Sequence, residues 1–182
     1  KVNAFNFELI AALQAALKQA ERNDQARCVV LSGAGDNFSA GQDVTVFLQA
    51  EDLSYRQHLQ RTYNPLILQI RRLEKPVLAA LNGAVSGAAL GIALACDLRI
   101  ASERTRFVVG FAGIGLAPDS AVSLLLPALI GLGRAAEIHR RYIEQGAEII
   151  ETNTFSANIY KLSACDMQNE CAAVNRAGVE LA

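Results

Sequence analysis

The feature that most constrains this chain is a succession of short apolar runs, each stopped by a loop signal and separated by stretches of helical period. Residues 28–31 are rich in valine and end in Ser32-Gly33-Ala34-Gly35-Asp36. Residues 77–81 follow Lys75-Pro76 and end in Asn82-Gly83, while residues 98–101 and 106–109 flank a charged turn at 102–105. Runs this short, closed by glycine and asparagine, predict buried strands that feed loops. Between them, residues 7–23 put Leu9, Ile10, Leu13 and Leu17 on one helical face behind Asn6 as N-cap. Residues 53–73 are helical by period, with Leu59, Tyr63, Leu66, Ile67 and Ile70 inward and Pro65 kinking the helix or starting a new one. Residues 86–94 form a small-residue helix that lets other backbone approach closely. Pro118-Asp119-Ser120 heads a helix over 121–130, a further helix covers 135–145, and residues 148–151 read as a strand. Strands alternating with helices predict an α/β fold with mostly parallel pairing.

Composition narrows the classes of function. With 182 residues, 52% of them hydrophobic, the chain can bury a real core but cannot hold two full-sized enzyme domains. Seventeen basic residues against eighteen acidic ones give a net charge of −1, so no basic surface for nucleic acid is expected. The longest apolar stretches, 84–95 and 121–132, contain glycine, serine or proline and fall short of the ~20 residues of a membrane helix, so no membrane partner is expected either. Cys28, Cys96, Cys165 and Cys171 lack the two-residue gap of a zinc or redox motif. They read as four free thiols in a reducing cytoplasm, with Cys28 and Cys96 acting as small hydrophobes, and no metal is expected. The chain opens at Lys1 inside a motif, which reads as a fragment or a trimmed sequence.

Two glycine loops are candidates for chemistry: Phe38-Ser39-Ala40-Gly41-Gln42-Asp43, after the first strand, and Asn82-Gly83-Ala84-Val85-Ser86-Gly87-Ala88, between a strand and a helix. Each offers free backbone N–H groups, and the second adds a helix N-terminus. Converging N–H donors form an oxyanion hole; the bland alternative is a pair of turns. Neither loop has phosphate-loop spacing. Asp119 is the best candidate acid or base, because apolar neighbours would raise its pKa; the alternative is a first-turn helix cap. Asp43 and Asp97 read as structural, His58 and His139 as solvated, and Ser39, Ser86 and Ser120 lack the context of a nucleophile.

The motifs Lys1-Val2-Asn3-Ala4-Phe5, Phe38-Ser39-Ala40-Gly41-Gln42-Asp43, Lys75-Pro76-Val77, Asn82-Gly83-Ala84-Val85-Ser86-Gly87 and Cys96-Asp97-Leu98-Arg99-Ile100-Ala101-Ser102 resemble the enoyl-CoA hydratase/isomerase (crotonase) superfamily over about residues 1–137. The resemblance implies a spiral of ββα units, here truncated at both ends, and a homo-oligomer, usually trimeric. It implies an acyl-CoA thioester as substrate, with coenzyme A part of the substrate and no separate cofactor. Carried over by motif, the oxyanion donors are the N–H groups of Gln42 and Ala88, with Lys1, Ala40, Gly41, Gly87 and Phe111 contributing to substrate binding. The positions of the two hydratase glutamates correspond to Gly91 and Phe111, which cannot transfer protons. Ala117-Pro118-Asp119-Ser120 is similar to the segment of phenylacetate-pathway ring-epoxide isomerases and dienoyl-CoA isomerases, which makes Asp119 the favoured base.

From Ile138 to Phe155 the chain resembles instead the homocysteine-binding barrel of cobalamin-dependent methionine synthases, so residues 138–182 are expected to form a helix–strand–helix tail of an apparent chimera. The expected function is isomerisation of an unsaturated acyl-CoA. The alternatives are an inactive acyl-CoA-binding or assembly module, and a homocysteine methyltransferase fragment using Asn153.

Overall fold

The computed structural model describes residues 2–45, 54–111 and 116–144. They divide between two compact units: residues 2–45, 54–110 and 119–122, and residues 111, 116–118 and 123–144.

The first unit begins with α1 (Phe7–Arg22), whose N-terminus is capped by Asn6 Oδ1 accepting Leu9 N–H at 2.8 Å. This satisfies one of the amides a helix start leaves without an internal partner. Ile10 and Leu17 form its buried stripe; Leu9, expected on that stripe, is 38% exposed because the angular sector covered by the core is narrower than the apolar pattern. A three-stranded parallel sheet follows, ordered β1 (Val29–Ser32), β2 (Val77–Leu81), β4 (Leu98–Ala101). Val29 aligns with Val77 and Leu78 with Leu98. Val77, Ala79 and Leu81 are buried, whereas Val30, Leu98 and Ile100 are exposed. The expectation of strands buried on both faces is therefore corrected: alternate residues of a strand point to opposite faces, and these share one open face. Cys28, just before β1, is exposed for the same local reason, while Cys96 is buried as expected.

The stretch read as one helix is two, α2 (Tyr55–Arg61) and α3 (Tyr63–Arg72), which meet at Thr62 with φ −119° and ψ −85°. Pro65 sits in the first turn of α3, where the missing N–H costs no helical hydrogen bond. A capping box closes the start of α2: the Ser54 hydroxyl accepts Gln57 N–H, and the Gln57 side chain accepts Ser54 N–H.

A second, two-stranded parallel sheet pairs β3 (Ala84–Ser86) with β5 (Arg106–Val108). Between them in sequence runs α4 (Ala88–Ala95), every residue of which is buried. Gly91 explains how: a Cβ there would lie 2.1 Å from the Ser120 carbonyl oxygen, so only glycine lets that backbone approach. α3 packs on both α1 and α4. Asp97 closes the join between β2 and β4, its carboxylate accepting Val77 N–H at 2.8 Å.

In the second unit, α5 (Val122–Ile130, its first residue belonging to the first unit) contains Pro127, and α6 (Leu132–Glu144) follows Gly131, whose φ is +86°. α6 runs unbroken through 135–138, where the two resemblances meet. The strand expected at 148–151, Asn153, Cys165, Cys171 and the rest of the tail lie outside the described residues. No helix among the described residues is long and apolar enough to cross a membrane.

Candidate active site

The first glycine loop is held between two neighbours. On one side Phe5 bridges Gln42: Phe5 N–H donates to the Gly41 carbonyl at 2.7 Å and Asp43 N–H to the Phe5 carbonyl at 2.8 Å. In such a parallel bridge Gln42's own N–H points away from Phe5. On the other side Ser39 bridges Val85, through Ser39 N–H to Ala84 O at 3.0 Å and Ser86 N–H to Ser39 O at 3.1 Å. Asn3 Nδ2 reaches the carbonyls of Ala34, Asn37 and Phe38, which fixes the approach of the N-terminal segment.

This pairing brings the two loops together at Gly41. Its φ is +89°, and a Cβ on it would lie 2.6 Å from Ser86 O and 3.4 Å from the Ala88 nitrogen. Gly41 is therefore required twice, by its conformation and by the closeness of the second loop. Gly87 has φ +53° and opens α4; its N–H donates to Val108 O at 3.0 Å. Ala88 is the first helical residue, so its N–H has no partner inside the helix and carries the positive end of the helix dipole. Ala40 is exposed on the loop and its N–H donates to Val2 O at 2.9 Å. Lys1 lies outside the described residues. Phe111 is buried and belongs to the second unit.

Asp119 stands in the first unit just before two residues with positive φ, Ser120 (+50°) and Ala121 (+64°). Its carboxylate accepts the Tyr55 hydroxyl and the Ser120 hydroxyl, the latter at 2.7 Å. It is the main-chain carbonyl of Asp119 that receives Val122 N–H, at 2.8 Å, so the turn is closed without the side chain. Burial pushes the Asp119 carboxyl above the usual carboxylate range; the two hydroxyl donors and nearby His58 pull the other way. The Tyr55 phenol is pushed up by burial, then by its hydrogen bond to Asp119 and by that carboxylate's charge. It stays a proton donor to Asp119 throughout the neutral range.

Three residues of this site escaped the sequence: Tyr55, His58 and Tyr63. His58, expected to be solvated, is 2% exposed. The correction follows from the break at Thr62, which turns this face of α2 inward; Thr62 is itself buried, its hydroxyl donating to His58 O at 2.6 Å. The His58 ring stacks near Tyr55, with centroids 6.4 Å apart, and meets Phe7 and Tyr63 edge-on. Its Nε2 lies 2.9 Å from Gln42 Oε1, which also accepts the Tyr63 hydroxyl at 2.6 Å. Burial lowers the His58 pKa, against the pull of Asp119. Burial, then the charge of Asp119, raises that of Tyr63. The signal that could have found the first two is the run Tyr55, His58, Thr62, spaced by three and four, which marks one side of a helical turn.

The remaining candidates are structural. Asp43 Oδ1 accepts the amide and hydroxyl of Thr45. Ser39 Oγ donates to Asn3 O at 2.7 Å and accepts Gly41 N–H at 3.1 Å. The His139 side chain is outside what is described.

In sequence and in fold the chain is similar to known proteins. The enoyl-CoA hydratase/isomerase family profile covers residues 1–147. The 1,2-epoxyphenylacetyl-CoA isomerase of Escherichia coli (strain K12) is 42% identical over 140 residues, covering 74% of this chain and 53% of that protein. The trans-2-decenoyl-[acyl-carrier-protein] isomerase of Streptococcus mutans is 36% identical, over 75% of this chain and 53% of that protein. The chain thus spans about half the length of these curated relatives. The crystal structure of an enoyl-CoA hydratase from Thermoplasma volcanium superposes with a TM-score of 0.70 at 26% identity, over 96% of this chain and 75% of that one. On this fold, these motifs and this match, the chain belongs to the enoyl-CoA hydratase/isomerase family, with a crotonase-like α/β architecture.

Proposed function

We propose that the protein is an isomerase of an unsaturated acyl-CoA thioester, with Asp119 as proton shuttle and the N–H groups of Gln42 and Ala88 as oxyanion donors. The thioester carbonyl oxygen would sit between those two amides, its chain passing Ala40, Gly41 and Gly87. With a β,γ-unsaturated substrate, the Asp119 carboxylate takes a proton from the carbon beside the carbonyl. The electron pair moves into the carbonyl and forms a dienolate held by the two donors. The carboxylic acid then returns the proton to the far end of the conjugated system, which leaves the double bond in conjugation with the thioester. One carboxylate closes the cycle, and a proton affinity raised toward neutrality suits a group that must both take and give.

The observation that carries isomerisation rather than water addition is Gly91. The family resemblance gives this position to one hydratase glutamate, and a Cβ there would meet Ser120 O at 2.1 Å. No acid fits without moving backbone, which leaves Asp119 to act alone. The E. coli relative at 42% identity and the S. mutans relative at 36% are named isomerases, and one from Rhodobacter capsulatus at 40% a probable enoyl-CoA hydratase, so the reading rests on Gly91. We further infer a homo-oligomer, a trimer where the family pattern holds, in a cytoplasmic setting. The test is turnover of a β,γ-unsaturated acyl-CoA by wild type and Asp119→Asn. Loss of about a hundredfold in kcat, with thioester binding kept, is expected; undiminished turnover in the variant removes the assignment.

The alternative, an acyl-CoA-binding module without turnover, is the other outcome of the same assay. Binding of acyl-CoA without any product from wild type would establish it. The likeness of 138–155 to a homocysteine-binding barrel adds nothing to this chemistry, and the family match runs across its start to residue 147.

A further inference from the structure

Gln42 is held from two sides. One edge of the main chain around it is tied to Phe5, through the bonds to Gly41 O and from Asp43 N–H. Its side-chain oxygen takes the Tyr63 hydroxyl at 2.6 Å and faces His58 Nε2 at 2.9 Å, while its Nε2 donates to Asp43 O at 3.2 Å. An amide oxygen has two lone pairs, and here two donors address them. The proton on Nε2 of His58 follows, because a bare ring nitrogen would face the oxygen lone pair to lone pair. Flipping the amide would turn its NH2 toward both donors. His58 and Tyr63 come from separate helices that meet at Thr62, and both side chains are buried. The break between α2 and α3 therefore sets the spacing of two donors on one acceptor.

We propose that His58 and Tyr63 are positioning residues which fix the Gln42 side chain and, through it, the direction of the Gln42 backbone N–H toward the enolate oxygen. The inference rests on the reading of Gln42 and Ala88 as oxyanion donors. On this reading both residues act through Gln42 and not on the reacting atoms. Oxyanion stabilisation depends on donors already aimed where charge develops, so an N–H free to swing by a few tenths of an ångström forfeits much of its effect. A fixed Gln42 side chain removes that freedom from one of the two donors; helix α4 removes it from the other.

The test uses the full chain, sorboyl-CoA as a chromophoric thioester, and a β,γ-unsaturated acyl-CoA for turnover. A carbonyl polarised by two aimed donors shifts the absorbance of bound sorboyl-CoA to the red. Tyr63→Phe removes only the hydroxyl, His58→Leu removes the ring donor, and His58→Gln keeps an N–H at similar reach. Tyr63→Phe and His58→Leu are expected to shrink the red shift and cut kcat about tenfold with KM within about twofold, and His58→Gln to restore most of both. Should His58→Leu not fold, Tyr63→Phe and His58→Gln decide the matter. Wild-type red shift and kcat in Tyr63→Phe, or a folded His58→Gln as impaired as His58→Leu, overturns the inference alone. A wild-type protein that neither shifts the chromophore nor turns over substrate removes the oxyanion reading, and the positioning roles fall with it.

Discussion

Asp119 is subject to opposed influences, and their signs can be read separately. Burial raises its proton affinity, while the hydroxyls of Tyr55 and Ser120 favour the carboxylate form. Removing the Tyr55 donor should therefore raise the affinity further. In Tyr55→Phe the acid limb of the kcat–pH profile is expected to move to higher pH, because the base is protonated earlier as pH falls; a limb that stays or moves to lower pH contradicts this role. The same shift has a consequence for folding. A carboxyl whose pKa is raised in the fold contributes stability that is present below its unfolded pKa and is lost as pH rises through the folded value. Asparagine does not ionise, so the melting temperature of Asp119→Asn relative to wild type should increase as the pH rises above about 4. A difference independent of pH over that range would mean that Asp119 is not desolvated in the fold.

At the scale of elements, two glycines let main chain approach main chain. Gly41 and Gly91 differ in what they admit: Gly41 seats the second loop against the first, and Gly91 seats the Ser120 carbonyl on α4. Gly91→Ala is expected to destabilise the protein by about 2 kcal/mol or more, since the nearest atom is backbone that cannot rotate away. Because Ser120 Oγ donates to Asp119, turnover should fall along with stability. Thermal melting and turnover of this variant check both; a variant with wild-type melting would mean that α4 and the Ser120 turn are looser than described. A helix of such small residues, placed directly after a glycine loop, was legible in the sequence as a site of close approach. The break at Thr62 was legible only through Pro65, which marks a helix start but says nothing of which face of the preceding helix turns inward. His58 was misread for that reason: one helix carried through the break puts it on the polar side, two helices put it in the core.

For the whole molecule, the order of strands and loops was readable because each motif is local: a strand run, a glycine, a helix start. The parallel pairing followed from the alternation, and β1, β2 and β4 have it. What local pattern does not carry is pairing across distance. Tyr55 and Asp119 are 64 residues apart, and neither segment contains a sign of the other. Likewise Val30, Leu98 and Ile100 read as core and are exposed, because strand hydrophobicity does not say which face another element covers. The assembled site nevertheless makes a claim that a single equilibrium measurement can weigh. If Gln42, Ala88 and Asp119 act on one bound thioester, that ligand binds the folded chain and not the unfolded one. An acyl-CoA at a hundred times its Kd should then stabilise the fold by ~2.7 kcal/mol. Coenzyme A without an acyl group lacks the carbonyl that the two amides would hold, so its Kd should be weaker and its effect at equal concentration smaller. Asp119→Asn keeps both amides and should retain the acyl-CoA effect. Gly41→Ala places a Cβ 2.6 Å from Ser86 O at a φ of +89°, displaces the first loop from the second, and should lose it. Melting curves of the three proteins with and without each ligand give the comparison. Equal stabilisation by coenzyme A and its thioester would mean that the loops hold no carbonyl, and an undiminished effect in Gly41→Ala would place binding elsewhere.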